Sequence, residues 1–419
     1  MTFLYPFLNY LQPGDLWPFL ATLKPMLLAS LLAGLLMLRK GAKPDGALVA
    51  TYFKQPALLW LGAFVFVNVI SVYYSGIMSM VNELQYWDVY AIFVAISLFM
   101  LKDLQALRQY VWGTIAGSSF VIFYAIVAVA VHASTIVEGR AGAYGMYENQ
   151  NDYSFIIVMV MPFAYLYLRL CRHWWQRVFL VSVLVGGVVG VMLSLSRGGI
   201  LALVLEAALL LWVTMRGGRR VAALAALAIV GTGVSIHQFA AREADQAGQY
   251  TLADSENSRY ELWRAARVAF EVHPILGVGS RRFAEYARDY GSISHDNRGK
   301  VAHNTYLEVA ADTGSLGLLT FALMIFGALK SFRGGRLSAA TGDGLAETQV
   351  AGFVTLGCIL FRATLDAKVY DWSFYFLVVI AIATSALASR TAQQAPATAK
   401  AAAEPATAGG GRPAIYRLR

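Results

Sequence analysis

The feature that most constrains this chain is a series of apolar segments long enough to cross the hydrocarbon core of a lipid bilayer. A spanning α-helix needs about 20 mainly apolar residues to cross roughly 30 Å of hydrocarbon. Hydrophobic residues make up 58% of the chain and charged residues 14%, a balance far from that of a soluble domain. The sequence therefore predicts an all-α polytopic membrane protein.

The apolar segments predict eleven transmembrane helices. They are placed at 17–38, 57–74, 85–101, 110–132, 153–169, 178–195, 199–215, 220–237, 315–332, 349–366 and 371–389. A twelfth span would require the stretch from Phe3 to Leu20 to insert separately, and its two prolines and Asp15 argue against a regular helix. The N-terminal stretch lacks the basic region and the cleavage site of a signal peptide, so none is expected.

Lysine and arginine residues cluster in alternate connections, which is the pattern of cytoplasmic loops. These connections hold Arg39, Lys40, Lys43, Lys54, Lys102, Arg108, Arg169, Arg172, Arg177, Arg216, Arg219, Arg220, Lys330, Arg333, Arg336 and Arg390. Because topology accounts for most of the net charge of +9, nucleic-acid binding is not expected. Cys171 and Cys358 fall in or beside spans, so no disulfide framework is expected.

The predicted spans and loops divide the chain into four parts. Residues 1–237 form an N-terminal transmembrane bundle, and 238–302 form one large loop on the outer side. Residues 303–389 hold a histidine segment and the last transmembrane helices. The tail 390–419 is rich in Ala, Pro and Gly, so it is expected to be disordered in the cytoplasm.

Arg197 is a single charge between two apolar runs, in the segment from Ser194 to Gly199. The distribution of basic residues places it on the outer side, where the positive-inside rule gives no reason for an arginine. A charge at that depth is costly unless it has a partner. Arg197 is therefore a candidate ligand-binding group.

The loop 238–302 favours arginine over lysine, with eight arginines and one lysine against nine carboxylates. Planar guanidinium pairs bidentately with phosphate or carboxylate, although ion pairs with nearby Asp and Glu are the alternative use of these side chains. An amphipathic helix is predicted over 257–270, with Leu262, Ala266 and Ala269 as its apolar stripe. Arg259 and Arg264 lie along this helix, where inward-facing arginines would suit an anionic lipid headgroup.

Two further motifs follow the predicted helix. The segment from His273 to Gly279 reads as a helix stop and a tight turn, whose glycines could also let the backbone approach a ligand. His303 begins a segment in which Leu307, Ala310 and Gly314 share its face at helical spacing. His303 is either an interface residue or a general base, since an imidazole pKa of about 6.5 suits removal of a hydroxyl proton at neutral pH.

Together these motifs resemble the O-antigen ligases, within the wider family that includes O-antigen polymerases and bacterial O-linked oligosaccharyltransferases. His303-Asn304, nine residues, Gly314 and then Gly317 are similar to the ligase histidine motif. Three weaker similarities are Arg197 with Leu201, Arg259 to Trp263 followed by Pro274 and Gly277-Val278-Gly279, and Gly139-Arg140 followed by Asn149-Gln150-Asn151-Asp152.

The resemblance implies a glycosyltransferase of the GT-C type, working in the outer leaflet of a bacterial inner membrane. It implies a polysaccharide donor on undecaprenyl pyrophosphate and, as acceptor, a sugar hydroxyl of lipid A–core. It implies that His303 activates the acceptor and that arginines hold the pyrophosphate. Arg197 and Arg259 are the first candidates for that role, followed by Arg140 and Arg264.

Four alternatives stay open. A polymerase would use the same donor, and Arg298 to Gly314 has the polymerase spacing, although it crosses the histidine motif. Protein O-glycosylation would also use that donor. A flippase or transporter would need several ionisable groups deep in the spans, where Glu206 and Arg362 are the few candidates. Metal dependence would need a site such as Glu243-Ala244-Asp245; the loop arginines can neutralise phosphate without it, so no metal or cofactor is expected.

Overall fold

The computed structural model describes residues 1–37, 44–132, 140–245, 252–290, 293–333 and 344–394. The described residues are 81% helical and contain no strand, which confirms the predicted all-α class. The predicted disordered tail lies outside the described residues from position 395 onward.

The helices are numbered in chain order. The first eight are α1 (Leu4–Leu11), α2 (Pro13–Leu16), α3 (Pro18–Ala21), α4 (Pro25–Met37), α5 (Gly46–Phe53), α6 (Pro56–Ser71), α7 (Ile77–Met100) and α8 (Leu104–Ala130). The others are α9 (Gln150–Tyr167), α10 (Trp174–Ser194), α11 (Arg197–Thr214), α12 (Gly218–Asp245), α13 (Leu252–Val272), α14 (Phe283–Tyr290), α15 (Thr305–Phe332), α16 (Leu345–Arg362) and α17 (Trp372–Gln394).

Eight helices in the described ranges are long and apolar enough to cross a membrane, namely α6, α8, α9, α10, α11, α15, α16 and α17. They coincide with eight of the eleven predicted spans. The other three predicted spans are also helical. However, α4 has only 13 residues, α7 carries Glu83 and Asp88, and the side chains of α12 are described only as far as Gly233. The predicted bundle boundary at residue 237 falls inside α12.

The N-terminal stretch does not form a twelfth span. It is broken into α1, α2 and α3, and both α2 and α3 begin at a proline. Proline is suited to a first helical position but ends a preceding helix, because its nitrogen cannot donate a hydrogen bond. The helix α1 instead packs across α8, where Gly113 and Gly117 leave room for its backbone.

The centre of the bundle is formed by α9 and α17, which are the most deeply buried of the eight helices. A second, smaller core lies at one end of the bundle, between α13, α14 and the first turns of α15. The predicted stripe of Leu262, Ala266 and Ala269 is confirmed as part of it, since all three are at most 1% exposed. The predicted start of that helix was wrong, because α13 begins at Leu252.

Candidate functional site

His303 lies just before α15, at the end of the bundle that carries the smaller core. Its φ of 49° is left-handed, and Asn304 is the N-cap of the helix. The prediction that His303 continues a helical face with Leu307 was therefore wrong. The cap explains the difference, because the Asn304 side chain accepts hydrogen bonds from the backbone nitrogens of Tyr306 at 3.0 Å and Leu307 at 3.1 Å.

The connection between α16 and α17 holds this start of α15 in place. The backbone nitrogen of Thr305 donates to Ala363 O at 2.7 Å, and the Thr305 hydroxyl donates to Asp366 O at 2.7 Å. The same hydroxyl accepts from the Lys368 backbone nitrogen at 3.0 Å. Asn304 adds a bond from Nδ2 to Thr364 O at 3.3 Å. The backbone on the C-terminal side of His303 is thus tied to a neighbouring connection.

The environment of His303 lowers the pKa of its imidazole. Burial of the half-buried ring is the largest cause, and the positive charges of Arg259 and Lys300 act in the same direction. The carboxylate of Asp366 acts in the opposite direction. The imidazole is therefore neutral at pH 7 and can accept a proton.

The helix α13 packs against the histidine segment, since the smaller core contains residues of both. Arg259 is half-buried on α13, whereas Arg264 lies on the exposed side of the same helix. Arg267 is also exposed and pairs with Glu271 at 2.8 Å. Of the two α13 arginines predicted to bind pyrophosphate, the structure brings Arg259 to His303 and leaves Arg264 turned outward.

Arg362, at the end of α16, links the histidine connection to α9. It is completely buried and forms an ion pair with Asp366. Its guanidinium donates to Ser154 Oγ at 2.8 Å and to Asn151 O at 3.1 Å. Its Nε has no hydrogen-bond partner among the described residues. A buried cation of this kind needs the paired carboxylate to offset its lost hydration.

The turn that carries Arg197 is joined to the same region. Leu195 has a left-handed φ of 49°, which ends α10 and lets α11 begin at Arg197. Ser196 caps α11 by accepting from Gly199 N at 3.2 Å, and its hydroxyl donates to Asn151 Oδ1 at 2.7 Å. Asn151 therefore contacts both Arg362 and the Arg197 turn. Arg197 itself is half-buried at the first position of α11.

Arg140 supports this turn from the other side. It is 8% exposed, and its Nε donates to Ser194 O at 3.1 Å, at the last residue of α10. The next residue, Ala141, donates its backbone nitrogen to Leu193 O at 2.9 Å. Both bonds satisfy carbonyls that the end of α10 leaves without a helical partner.

The glycine turn after α13 packs on α15. Val278 N donates to Ala311 O at 2.8 Å, and Gly279 N donates to Asp312 O at 2.9 Å. A side chain at Gly314 would collide with the backbone of Ile275. Gly314 has a φ of 65° and kinks α15 at this contact. The close backbone approach that these glycines allow is therefore made to the histidine helix α15.

The carboxylate of Asp312 fixes the loop on α15. It is fully buried and accepts from the backbone nitrogens of Arg282 at 3.2 Å and Phe283 at 2.8 Å. Its other oxygen accepts from the Tyr370 hydroxyl at 2.9 Å. Three segments therefore meet at one buried carboxylate. The second motif glycine, Gly317, lies one helical turn from Thr313 and leaves room for that side chain.

Sequence reasoning missed Asp366, named Asn151 only within a motif and did not give Arg362 its place in this site. The spacing of Arg362 and Asp366, four residues apart at the end of a span, was a usable signal. Lys368 forms ion pairs with Asp152 and Asp371, which also brings α9 to the histidine connection. No local pattern could have shown the pairing of Lys368 with Asp152, because these two residues lie in distant parts of the chain.

The described residues contain no group of three or more His, Cys, Asp and Glu side chains placed to hold a metal ion. The sequence candidate Glu243-Ala244-Asp245 lies at the end of α12, where side chains are outside the described set.

Comparison with known protein families gives a match. Residues 182–322 match the family described as O-antigen ligase, a stretch that covers about a third of the chain. The matched stretch contains Arg197, Arg259 and His303, whereas Arg140 and Arg362 lie outside it. No curated protein matches the chain.

Proposed function

Membership of the O-antigen ligase family, which the match over 182–322 supports, is the premise from which we propose a ligase reaction. The match supports an O-antigen ligase-like or polymerase-like role in lipopolysaccharide biosynthesis. Within that role, the proposed reaction is transfer of a polysaccharide from undecaprenyl pyrophosphate to a sugar hydroxyl of lipid A–core. The observation that best supports it is a half-buried histidine with a lowered pKa beside Arg259.

The proposed setting is the outer leaflet of a bacterial inner membrane. The distribution of basic residues supports this orientation, since the connections at the end opposite to His303 hold most of the lysines and arginines of the bundle. In this orientation the smaller core around α13 and α14 faces the periplasm. Both lipid-linked substrates would then reach the histidine end from the same leaflet.

The reaction breaks the bond between the anomeric carbon of the donor sugar and its pyrophosphate oxygen. The electron pair of that bond stays on the leaving pyrophosphate, where negative charge increases. Arg197 and Arg259 would stabilise this charge by donating from fixed guanidinium groups in a partly dehydrated site. By analogy with other preorganised donors, each well-placed group would contribute about 3–4 kcal/mol.

The new bond forms between the acceptor oxygen and the same anomeric carbon. A neutral His303 imidazole would take the proton from the acceptor hydroxyl, a contribution of roughly 10²–10⁴-fold in rate. Attack opposite the leaving group inverts the anomeric centre, since the displacement is single and no covalent enzyme intermediate is invoked. The energy comes from the pyrophosphate linkage of the donor.

The other two candidate arginines, Arg140 and Arg264, would have different roles. Arg140 donates to Ser194 O, so it holds the turn that presents Arg197 to the pyrophosphate. Arg264 is exposed on α13 and would meet only the outer part of the donor. The proposed order of importance for pyrophosphate binding is therefore Arg197 and Arg259 first, then Arg140, then Arg264.

A reconstituted transfer assay tests the proposal. Purified protein, a polyprenyl pyrophosphate-linked polysaccharide and lipid A–core should give the coupled glycolipid without added metal, and EDTA should leave the rate unchanged. His303→Ala should abolish transfer. The matched control is His273→Ala, because His273 is an exposed histidine whose ring packs edge-on to Tyr286 instead of the site. Full activity in His303→Ala would contradict the role of the base.

A deletion strain separates the ligase from the polymerase, which would use the same donor. Long polymer that accumulates on the lipid carrier supports ligation. A single repeat unit attached to the core supports polymerisation, and unaltered lipopolysaccharide contradicts both. Glycosylated membrane proteins lost in the same strain would point to protein O-glycosylation instead.

A further inference from the structure

A groove of about 740 Å³ opens on the side of the bundle between the N-terminal helices, α4 and α7. Gln12 and Lys24 line it on the N-terminal side, Leu27 on α4, and Tyr86 and Val89 on α7, while Trp372 lies at its inner end. We refer to it as the α4–α7 groove. None of the residues used in the proposed reaction lines it.

The groove lies at the start of α4, which begins only at Pro25 because the residues before it form the separate helices α2 and α3. Part of the α7 surface beside this start is exposed. Val89 is 65% exposed and Leu27 is 52% exposed on the two walls, so both present apolar surface to whatever occupies the space between the helices.

The lining changes character along the groove. Asn9, Gln12, Asp15 and Lys24 provide hydrogen-bonding and charged groups at one end. Leu27, Val89 and Phe93 make the walls apolar farther along the helices. A groove with one polar end and one apolar end suits an amphiphile whose head lies at the polar end.

The groove is continuous with the segments that build the site. Gln12 Nε2 and Trp372 Nε1 both contact Met146 Sδ, at 2.6 Å and 2.9 Å. Met146 lies on the connection that begins at Arg140. Trp372 follows Asp371, which accepts from Lys368 Nζ at 3.4 Å. The inner end of the groove therefore touches both connections that hold the site residues.

We propose that the α4–α7 groove binds the polyprenyl chain of the pyrophosphate-linked donor; this inference rests on the proposed function. The volume is that of a pocket for one small ligand, which suits a segment of a single isoprenoid chain. An acceptor with several acyl chains side by side is too wide for it.

A second, almost wholly apolar cavity of about 290 Å³ shares Tyr90 with the groove and lies on the α5–α6 side of α7, toward the opposite end of the bundle.

Filling the groove tests this assignment. Val89→Trp should reduce kcat/KM for a long polyprenyl donor more than for a donor with a chain of two or three isoprene units, so that the ratio of the two falls at least tenfold. The matched control is Val185→Trp, since Val185 is 59% exposed on α10 and lies outside the groove. The control should keep the wild-type ratio. Leu27→Trp fills the groove from the other wall and should act like Val89→Trp. An unchanged ratio in the groove variants would overturn the proposal.

Crosslinking of the unmodified protein gives a second measurement that needs no variant. A polyprenyl diphosphate with a photoreactive group in the part of its chain nearest the diphosphate should label peptides that contain residues 21–27 or 85–93. Labels confined to other helices would contradict binding of the polyprenyl chain in the α4–α7 groove, but they would not contradict the proposed transfer reaction. Loss of transfer in the wild-type assay, with labels still in the groove, would contradict the proposed function but not the lipid site.

Discussion

The guanidinium of Arg259 lies close enough to the imidazole of His303 for its charge to lower the histidine pKa. The two residues come from different helices, α13 and the start of α15, and meet because the loop packs back on α15 through its glycine turn. The proposed phosphate-binding cation and the proposed proton acceptor are thereby placed together. Because of this pairing, the rate of transfer is expected to depend on pH.

The rate of transfer should stay constant from pH 8 down to about 6.5, the ordinary imidazole value, and should fall only below it. The reason is that the lowered pKa keeps His303 neutral until the solution is more acidic than that value. Arg259→Ala removes a positive charge that lowers the pKa, so the acid limb should move to higher pH. A pH–rate profile with saturating substrates measures this shift.

The control for that profile is Arg267→Ala, which removes an exposed arginine from the same helix. Its acid limb should match that of the wild type. Arg259→Lys should keep most of the pKa effect while weakening phosphate binding, because a lysine retains the charge but not the planar pair of donors. An unshifted limb in Arg259→Ala would mean that the two side chains do not interact.

Arg197→Ala should lower kcat by roughly 10²–10³-fold if its guanidinium stabilises the leaving pyrophosphate. Arg197→Lys should recover little of this loss, since bidentate pairing is not restored. Steady-state kinetics on reconstituted protein measure both. Arg264→Ala is the comparison, since Arg264 is exposed, and its effect should be small. Equal losses in the two alanine variants would contradict the proposed order.

Gly314→Ala should destabilise the protein and reduce transfer. Backbone angles of φ 65° and ψ −160° are essentially restricted to glycine and cost another residue about 1–3 kcal/mol, and the added methyl would also collide with Ile275. Gly62→Ala on α6 is the matched control, because no atom lies within 4 Å of the position of its new methyl. Thermal unfolding in detergent should show a lower Tm for Gly314→Ala alone. Equal Tm values would argue against the close contact.

Arg362→Met should be strongly destabilising, by about 3–5 kcal/mol, because it leaves the Asp366 carboxylate without its cation. Combining it with Asp366→Asn removes the uncompensated charge, so part of the lost stability should return. Chemical unfolding of the single and double variants measures the difference. A double variant no more stable than Arg362→Met would mean that the ion pair is not the cause.

The all-α membrane class was predictable from the sequence because apolar runs of sufficient length have few other folds open to them. The amphipathic stripe of α13 was also predictable, since apolar residues at helical spacing indicate which face of a helix is buried. The start of α4 at Pro25 was not predicted. Its segment was assigned a full span, but the residues before Pro25 form the separate short helices α2 and α3.

The candidate site was only partly predictable. His303 and Arg197 stood out because each is a polar group next to an apolar run. That Asn151 contacts both Arg362 and the Arg197 turn could not be read from the chain, since those contacts join three separate helices. His303 was wrongly assigned to a helical face with Leu307 because the spacing continued a helical pattern, whereas the Asn304 cap determined where the helix begins.

The left-handed backbone of His303 has a consequence for the order of events. Such a conformation is unfavourable for a residue with a side chain, so it persists only where neighbouring bonds enforce it. Here the bonds of Thr305 to the connection after α16 enforce it. The proposed proton acceptor is thus positioned by contacts within the protein. Turnover would then wait on two large molecules that diffuse in one leaflet, and not on a rearrangement of the enzyme.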